Sequence, residues 1–333
     1  VARTKRRRQT LRTAFSTLRT TSSRVCQGKV ALLGLLLLLS STLLTACAQA
    51  QAVPRVSLQG PMSTALGAGK ATEKDPVRVV LASITSPQES RVYYDAMLNY
   101  LGRQLGRPIE IIQRKTYAEA NDLVRAGSAD VAFVCTYAYV AGHAEFGMEL
   151  LAAPVIHGQT IYHADVIVNK NSSITSFSQL RGKVFAFTDP MSNTGTMYPL
   201  SLVKALGSTP DKFFAKYFYT YSHDYAIQAV ADGLADGASV DSTVYDYLRD
   251  SNPSLVAKVK VIQVSPPYGM PPVVVRADLD PHLKEKIQTI LLRMNKNSSG
   301  RAILAKLHIE RFVTVKDSLY DSVRALAKAA GAP

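Results

Sequence analysis

Tryptophan is absent from the 333 residues, and cysteine occurs only three times. Three cysteines cannot build a disulfide scaffold or a multi-cysteine zinc site. No cluster of His, Cys, Asp and Glu has metal-ligand spacing, so no metal or cofactor is expected. A G-x-S-x-G elbow and a phosphate-loop lysine are missing as well. Nor is there a nucleophile–base pair or a pair of acid/base carboxylates, so the chain is not expected to be an enzyme. Charged residues make up 19%, but hydrophobic residues reach 47%, which excludes a disordered chain and suffices for a sizeable core.

The formal charge of +14 is unevenly placed. Nine of the 39 Lys and Arg lie in residues 1–46, which hold no Asp or Glu. Without them 30 basic residues face 25 acidic ones, a balance of +5. No basic stripe remains, which argues against a nucleic-acid partner.

Residues 1–29 are basic and rich in Ser and Thr, and an apolar run follows from Val30 to Leu39. A basic segment, an apolar run and small residues form a secretory signal. Leu44-Thr45-Ala46-Cys47 resembles the bacterial lipoprotein lipobox, which implies cleavage before Cys47 and a lipid on its thiol. The plainer alternative is an uncleaved single-span anchor, for which the run is short. Either way the body is expected outside the cytoplasmic membrane. Residues 48–74, rich in Ala, Gln, Gly, Pro and Ser, read as a tether. Cys26 falls in the leader. Cys135 follows Val131-Ala132-Phe133-Val134 and reads as a buried strand-end residue.

The body carries an internal repeat. Val124-Arg-Ala-Gly127-Ser-Ala-Asp130-Val-Ala-Phe-Val134 aligns with Val230-Ala-Asp-Gly233-Leu-Ala-Asp236-Gly-Ala-Ser-Val240. Val77-Arg-Val-Val-Leu-Ala aligns with Val184-Phe-Ala-Phe-Thr at nearly the same offset. Each copy predicts a helix end, a Gly cap and a short apolar strand. Two β-α-β-α-β units follow, each with a mostly parallel sheet flanked by helices. The fold class is therefore α/β and two-lobed, with a cleft between the lobes. The expected boundaries are 1–46 signal, 47–75 tether, 76–165 with 266–333 lobe one, and 166–265 lobe two. The stiff Pro-rich stretch 265–272 is expected to cross between lobes. The amphipathic stretches 280–295 and 315–330 are placed against lobe one. Ligands of open α/β sheets sit at the carboxyl ends of strands. That rule selects the loops 83–87, 135–139, 188–195 and 241–245.

Within these loops, Thr188-Asp-Pro-Met-Ser192-Asn193-Thr194-Gly195-Thr196 opens a helix directly after a strand. Hydroxyls and first-turn N–H groups there favour an anion, although simple N-capping would look the same. His223, after the capping residue Ser222, either donates to an oxyanion or is a satisfied histidine. Asp241, ending the strand 237–240, is either a ligand acceptor or the cap of the next helix. A carboxylate would accept from a P–OH group and repel fully ionised species. Tyr137 and Tyr268 offer apolar walls with hydroxyl donors, against the alternative of ordinary packing.

Taken in order, these segments resemble the phosphate/phosphite/phosphonate substrate-binding proteins of ABC transporters, the PhnD-like family. The resemblance covers roughly residues 76–312. It rests on Ser86-Pro87-Gln88-Glu89-Ser90, Ala129-Asp130-Val131-Ala132, Asp189-Pro190-Met191-Ser192-Asn193-Thr194-Gly195, Ser222-His223-Asp224, Ala238-Ser239-Val240-Asp241-Ser242 and Ser265-Pro266-Pro267-Tyr268. It implies a type II periplasmic-binding fold whose two lobes close on a small phosphorus oxyanion. In that reading Ser192, Asn193 and Thr194 hold the phosphorus-bound oxygens, His223 faces the ligand, Asp241 is the acidic acceptor and Tyr137 closes from lobe one. Asn193 stands where the family often has a small hydroxyl residue, and Cys135-Thr136-Tyr137 departs from its commoner loop. The partners implied are an ABC permease with its ATPase, and the membrane through a lipid on Cys47, with the protein itself a monomer. No acidic residue lies between Val264 and Val275, which leans toward phosphite, phosphate or a short alkyl phosphonate. The alternatives left open are a lipid-anchored sensor for a histidine kinase and a binder of another small organic ligand on the same fold.

Overall fold

The computed structural model of the chain describes residues 75–332. The leader with Cys26, the tether and Cys47 fall outside the described residues. Among those described, no helix is long and apolar enough to cross a membrane.

Thirteen strands are described, and they sort into two main sheets. Lobe one holds β1 (Val77–Ala82), β2 (Ile109–Arg114), β3 (Val131–Phe133) and β4 (Glu149–Val155). The chain then crosses through β5 (Ile161–Tyr162). Lobe two holds β6 (Ala164–Asn169), β7 (Val184–Phe187), β8 (Lys216–Tyr219), β9 (Gly237–Asp241) and β10 (Val259–Val264). It returns through β11 (Tyr268–Gly269) and completes lobe one with β12 (Val273–Val275) and β13 (Arg311–Val313).

The sheet orders are β13-β4-β12-β3-β1-β2 and β10-β6-β9-β7-β8. The repeat is therefore topological. In each lobe a parallel trio comes first, β2-β1-β3 or β8-β7-β9. Next to it lies a reversed strand, β12 or β6, which is the first sheet strand after a crossing. Strands buried on both faces read as continuous apolar runs, as VRVVLA and VFAF do.

One residue type explains why the repeat survived in the sequence. Asp130 accepts from the Arg78 N–H at 2.9 Å, while its own N–H donates to Arg78 O at 2.8 Å. Asp236 makes the same reciprocal pair with Val184, both bonds at 2.8 Å. Each Asp thus pins the third strand to the first at the lower end of its sheet. The left-handed glycines Gly127 (φ 67°) and Gly233 (φ 74°) end the preceding helices. Arg78 and Arg276 both pair with Asp130 in lobe one.

The crossings β5 and β11 run antiparallel, with Tyr162 opposite Tyr268. Prolines 266, 267, 271 and 272 hold the return passage extended, as the sequence led one to expect. The helix Pro281–Arg293 packs on the helix Pro87–Leu105 and on β4 and β13, all in lobe one. The last helix, Asp321–Ala330, differs from the expectation that it would lie against lobe one. It packs on both Thr136–Phe146 of lobe one and Tyr198–Ala205 of lobe two. Its buried residues Val323 and Ala327 join the apolar cluster that also holds Tyr139, Tyr198 and Val203. That stripe has apolar partners on two lobes, so burying it ties them together.

Candidate ligand-binding site

The carboxyl ends of both parallel trios face one another. β7 ends at Phe187, and the chain turns at Asp189 into the wide π-type turn Asn193–Met197, which continues as the helix Tyr198–Ala205. π-turns inside helices are frequent at functional sites. Ser192 is the cap: its Oγ accepts from the Gly195 N–H at 3.0 Å. Gly195 is obligatory here, because a Cβ would lie 1.8 Å from Thr188 Oγ1 and 2.7 Å from Thr188 Cβ. The strand end passes so close behind the helix start that no side chain fits.

His223 opens the next helix, His223–Ala231, capped by Ser222. Its ring is 1% exposed, and burial depresses its pKa to about 3, so it is a neutral imidazole. The Asp241 N–H donates to His223 Nδ1 at 3.1 Å. Nδ1 is thus the acceptor, and the single ring proton sits on Nε2. Nε2 points at Ser192 Oγ, 3.5 Å away, at the outer limit of a hydrogen bond. Asp241 is buried, and burial pushes its pKa up to about 6. Its Oδ1 caps the helix Ser242–Ser251 by accepting from the Thr243 N–H (2.7 Å), the Thr243 hydroxyl (2.6 Å) and the Val244 N–H (3.4 Å). Of the alternatives read from the sequence, the helix cap is the one the hydrogen bonds show for Asp241.

Asn193 faces the other lobe. Its N–H donates to Cys135 Sγ at 3.4 Å, and its Nδ2 to the Tyr162 hydroxyl at 3.2 Å. Tyr162 in turn is 2.7 Å from Thr136 Oγ1. Cys135 is the buried strand-end residue its sequence suggests. Burial raises its thiol to about 11, which keeps it protonated and unreactive.

Unpartnered polar atoms concentrate in this region. Seven buried side-chain oxygens lack a hydrogen-bond partner among the described residues. Four belong to Thr188, Asn193, Thr194 and Thr196, on the helix start and the strand end behind it. A fifth is the hydroxyl of Tyr117, whose pKa burial raises, with further contributions from Cys135, Asp189, Asp241 and Tyr162 around it. Each such atom costs about 1–3 kcal/mol if left unsatisfied, so this cluster calls for polar partners from water or a ligand. Among the described residues no Lys or Arg is buried. The polar groups that the site can offer a ligand are therefore neutral donors and the helix start.

Of the eight body and leader residues singled out from sequence, the structure gathers Ser192, Asn193, Thr194, His223 and Asp241. Tyr137 is buried in the apolar core, and its hydroxyl makes no hydrogen bond to that group among the described residues. Tyr268 backs Tyr162, with ring centroids 6.4 Å apart, and stands one layer behind the cleft. Cys47 lies outside the described residues. Sequence reasoning passed over Tyr117, Tyr162 and Tyr94. The loop after β2 also ends at a strand's carboxyl end, and the capping box of Thr116 and Glu119 marks the helix start at Tyr117. The same loop rule would have found it. Tyr162 carries no local signal, because its position depends on the crossing.

The lobes are clasped. The Ser86 N–H donates to Asp224 Oδ1 (2.9 Å), and the His223 N–H to Ile84 O (3.0 Å). The Tyr117 N–H donates to Asp189 Oδ2 (3.0 Å). Lys115 Nζ lies 4.4 Å above the Tyr221 ring. At another edge the His308 ring packs tilted against Tyr247, centroids 5.1 Å apart, and approaches Asp250 at 3.8 Å.

Comparison with known proteins adds four findings. The family model of ABC-transporter phosphonate periplasmic substrate-binding proteins matches residues 79–320. The phosphonates-binding periplasmic protein of Escherichia coli is 25% identical over 272 residues, 80% of either chain. The phosphate-import protein PhnD of Mycolicibacterium smegmatis is 30% identical over 130 residues, 37% of this chain and 40% of that protein. The crystal structure of a Pseudomonas aeruginosa binding-protein component of an ABC phosphonate transporter superposes with a TM-score of 0.73. It has 23% identity and covers 78% of this chain and 87% of that one.

Proposed function

Since the chain belongs to the periplasmic phosphonate substrate-binding proteins of ABC transporters, we propose that its Ser192–His223–Asp241 cleft captures a singly protonated phosphorus oxyanion. The observation that carries this reading is the cluster of unpartnered buried hydroxyls of Thr194, Thr196 and Tyr117 beside the His223 Nε2–H donor. Ser192, Asn193 and Thr194 hold the phosphorus-bound oxygens from lobe two, and His223 Nε2–H donates to another. Asp241 accepts the ligand's remaining proton. Tyr117 and Tyr162, rather than Tyr137, reach the ligand from lobe one and the crossing. Neutral donors with one carboxylate favour a ligand that keeps an O–H, and disfavour sulfate, which has none at neutral pH.

Capture proceeds by closure. The ligand docks on the helix start, and lobe one then engages through the bonds at Ser86, Ile84 and Tyr117. Water leaves the cleft, and each polar contact gains strength in the lower dielectric. The clasped form docks on a membrane permease coupled to an ATPase, and a lipid on Cys47 tethers the monomer outside the cytoplasmic membrane.

Calorimetric titration of the full chain, kept in detergent, tests the reading. Phosphate, phosphite or methylphosphonate should bind, and sulfate should not. Sulfate binding on a par with all three would sink the proton-acceptor role of Asp241. Silence with every phosphorus oxyanion would sink the site.

A further inference from the structure

A cavity of about 130 Å³ adjoins the oxyanion site and shares Asp241 with it. Its floor is the carboxyl-end rim of lobe one, including Ile84, Phe133, Val134 and Met270, with Pro272 and Phe312 at the side. Its roof is the helix Ser242–Ser251 of lobe two, through Val244, Asp246 and Tyr247. Tyr94 stands against Phe133, ring centroids 5.0 Å apart, and completes the wall beside Asp241.

The chemistry of this lining is specific. The floor is apolar, and no Lys or Arg lines the cavity. The two carboxylates on its roof are already committed, Asp241 through its second oxygen to the ligand's P–OH in the reading above. Asp246 pairs with Arg249 at 3.0 Å, and Asp241 Oδ1 takes the donors of Thr243 and Val244. A substituent with its own negative charge would meet two carboxylates and no Lys or Arg, the imidazoles of His157 and His308 being the only basic groups in the lining. An ammonium group would meet carboxylates that have partners, and an apolar floor that leaves it desolvated. An uncharged hydrocarbon group meets neither cost. An engineered apolar cavity of about 150 Å³ admits benzene, so a space of this size suits a small ring or a chain of four or five carbons.

We propose that the ligand is a phosphonate with an uncharged alkyl or aryl substituent of about four to six carbons, seated in this cavity while its phosphorus oxygens rest on Ser192, Thr194 and His223. This deepens the oxyanion reading and rests on it. Inorganic ions and methylphosphonate fill the first compartment and leave the second unused. Each buried methylene should strengthen binding by about fourfold until the cavity is full.

The test is a calorimetric series on the full chain in detergent with phosphate, phosphite, methylphosphonate, n-butylphosphonate, phenylphosphonate, 2-aminoethylphosphonate and phosphonoacetate. The expected result is n-butyl- or phenylphosphonate binding at least tenfold tighter than methylphosphonate and the inorganic ions, with phosphonoacetate weakest. Val244→Phe, which fills the roof of the cavity, should bring the butyl-to-methyl affinity ratio back toward one. Should that variant fail to fold, the ligand series on the unaltered protein still decides. Methylphosphonate or an inorganic ion equalling the butyl compound would overturn the inference and leave the oxyanion reading intact. The same holds if 2-aminoethylphosphonate binds tightest. If none of the seven binds, the oxyanion reading falls, and this inference with it.

Discussion

The Asp241 N–H donates to Nδ1 of His223 at 3.1 Å, and this one bond decides what His223 can do. A backbone N–H can only donate. The buried, neutral imidazole must therefore carry its proton on Nε2, the atom that faces Ser192 Oγ. The last residue of β9 thus makes the first residue of the neighbouring helix a fixed donor to the cleft.

Replacing His223 by Ala should weaken oxyanion binding by about 10- to 100-fold, from the roughly 1–3 kcal/mol of a lost buried hydrogen bond. In the unaltered protein, nitrogen NMR should show the Nε2–H tautomer and no titration of this ring between pH 5 and 8. A ring that titrates near 6.5 would contradict the buried, neutral assignment.

The same histidine has a cost in acid. Unfolded, it takes up a proton near pH 6.5; folded, it does so only near 3. The unfolded state therefore binds more protons in that window, and its contribution to stability falls as pH drops from about 6.5 toward 3. Asp241 acts with the opposite sign. Its folded pKa of about 6 lies above the unfolded value of 3.8, so the folded state takes the proton first. The cost of its buried charge is fully present above pH 6 and is relieved as pH falls toward 4. Asp241→Asn, which can still cap the helix, should raise unfolding stability by on the order of 2 kcal/mol at pH 7–8. That gain should vanish near pH 4. Chemical denaturation at both pH values measures it, and a gain that is independent of pH would refute the buried-charge account.

The same Asp241→Asn change should alter selectivity. The unaltered site should lose affinity for methylphosphonate as pH rises past the ligand's second ionisation, since the one P–OH that Asp241 accepts from disappears. An amide can donate as well as accept, so the variant should bind the fully ionised form and flatten that decline. Titrations at pH 6 and 8.5 make the comparison.

Gly195→Ala should disrupt the helix start directly, because its Cβ would fall 1.8 Å from Thr188 Oγ1. Overpacking of this kind costs about 1–3 kcal/mol. The thermal midpoint should drop and binding should be lost together. An unchanged midpoint with normal affinity would mean that the strand end and helix start are not in contact.

Asp224→Ala removes the acceptor for the Ser86 N–H across the cleft. It touches no proposed ligand atom, so its effect should come through closure. Affinity should fall by about 5- to 50-fold, and small-angle scattering with saturating ligand should show a more open particle than the parent. A lowered affinity with an unchanged scattering profile would argue against the clasp.

Much of this architecture was legible in the chain. The repeat could be read because its two aspartates, Asp130 and Asp236, do the same backbone work in both lobes, and because Gly127 and Gly233 occupy left-handed caps. Local backbone chemistry of that kind leaves residue-by-residue marks. The helix start at Ser192, the cap at Ser222 and the strand end at Asp241 were legible for the same reason. Each sits where a strand's alternation stops and a helix needs a polar cap.

The site's second half was not legible. Tyr137 follows a strand end, as the gathered residues do, yet Thr136 and Cys135 are the members of that loop that touch Tyr162 and Asn193. Tyr117 and Tyr162 face lobe two only because β5 and β11 pair and bring the lobes together. The last helix could be recognised as amphipathic, but its stripe said nothing of which surface would cover it. Sequence alone determined two α/β lobes, their order and the lobe-two residues that cap and end local elements, because these follow from short-range periodicity and capping. Only the tertiary structure decided the tautomer of His223, the tyrosines that complete the cleft and the cavity beside Asp241. Those depend on contacts between segments far apart in the chain, which neither composition nor spacing encodes.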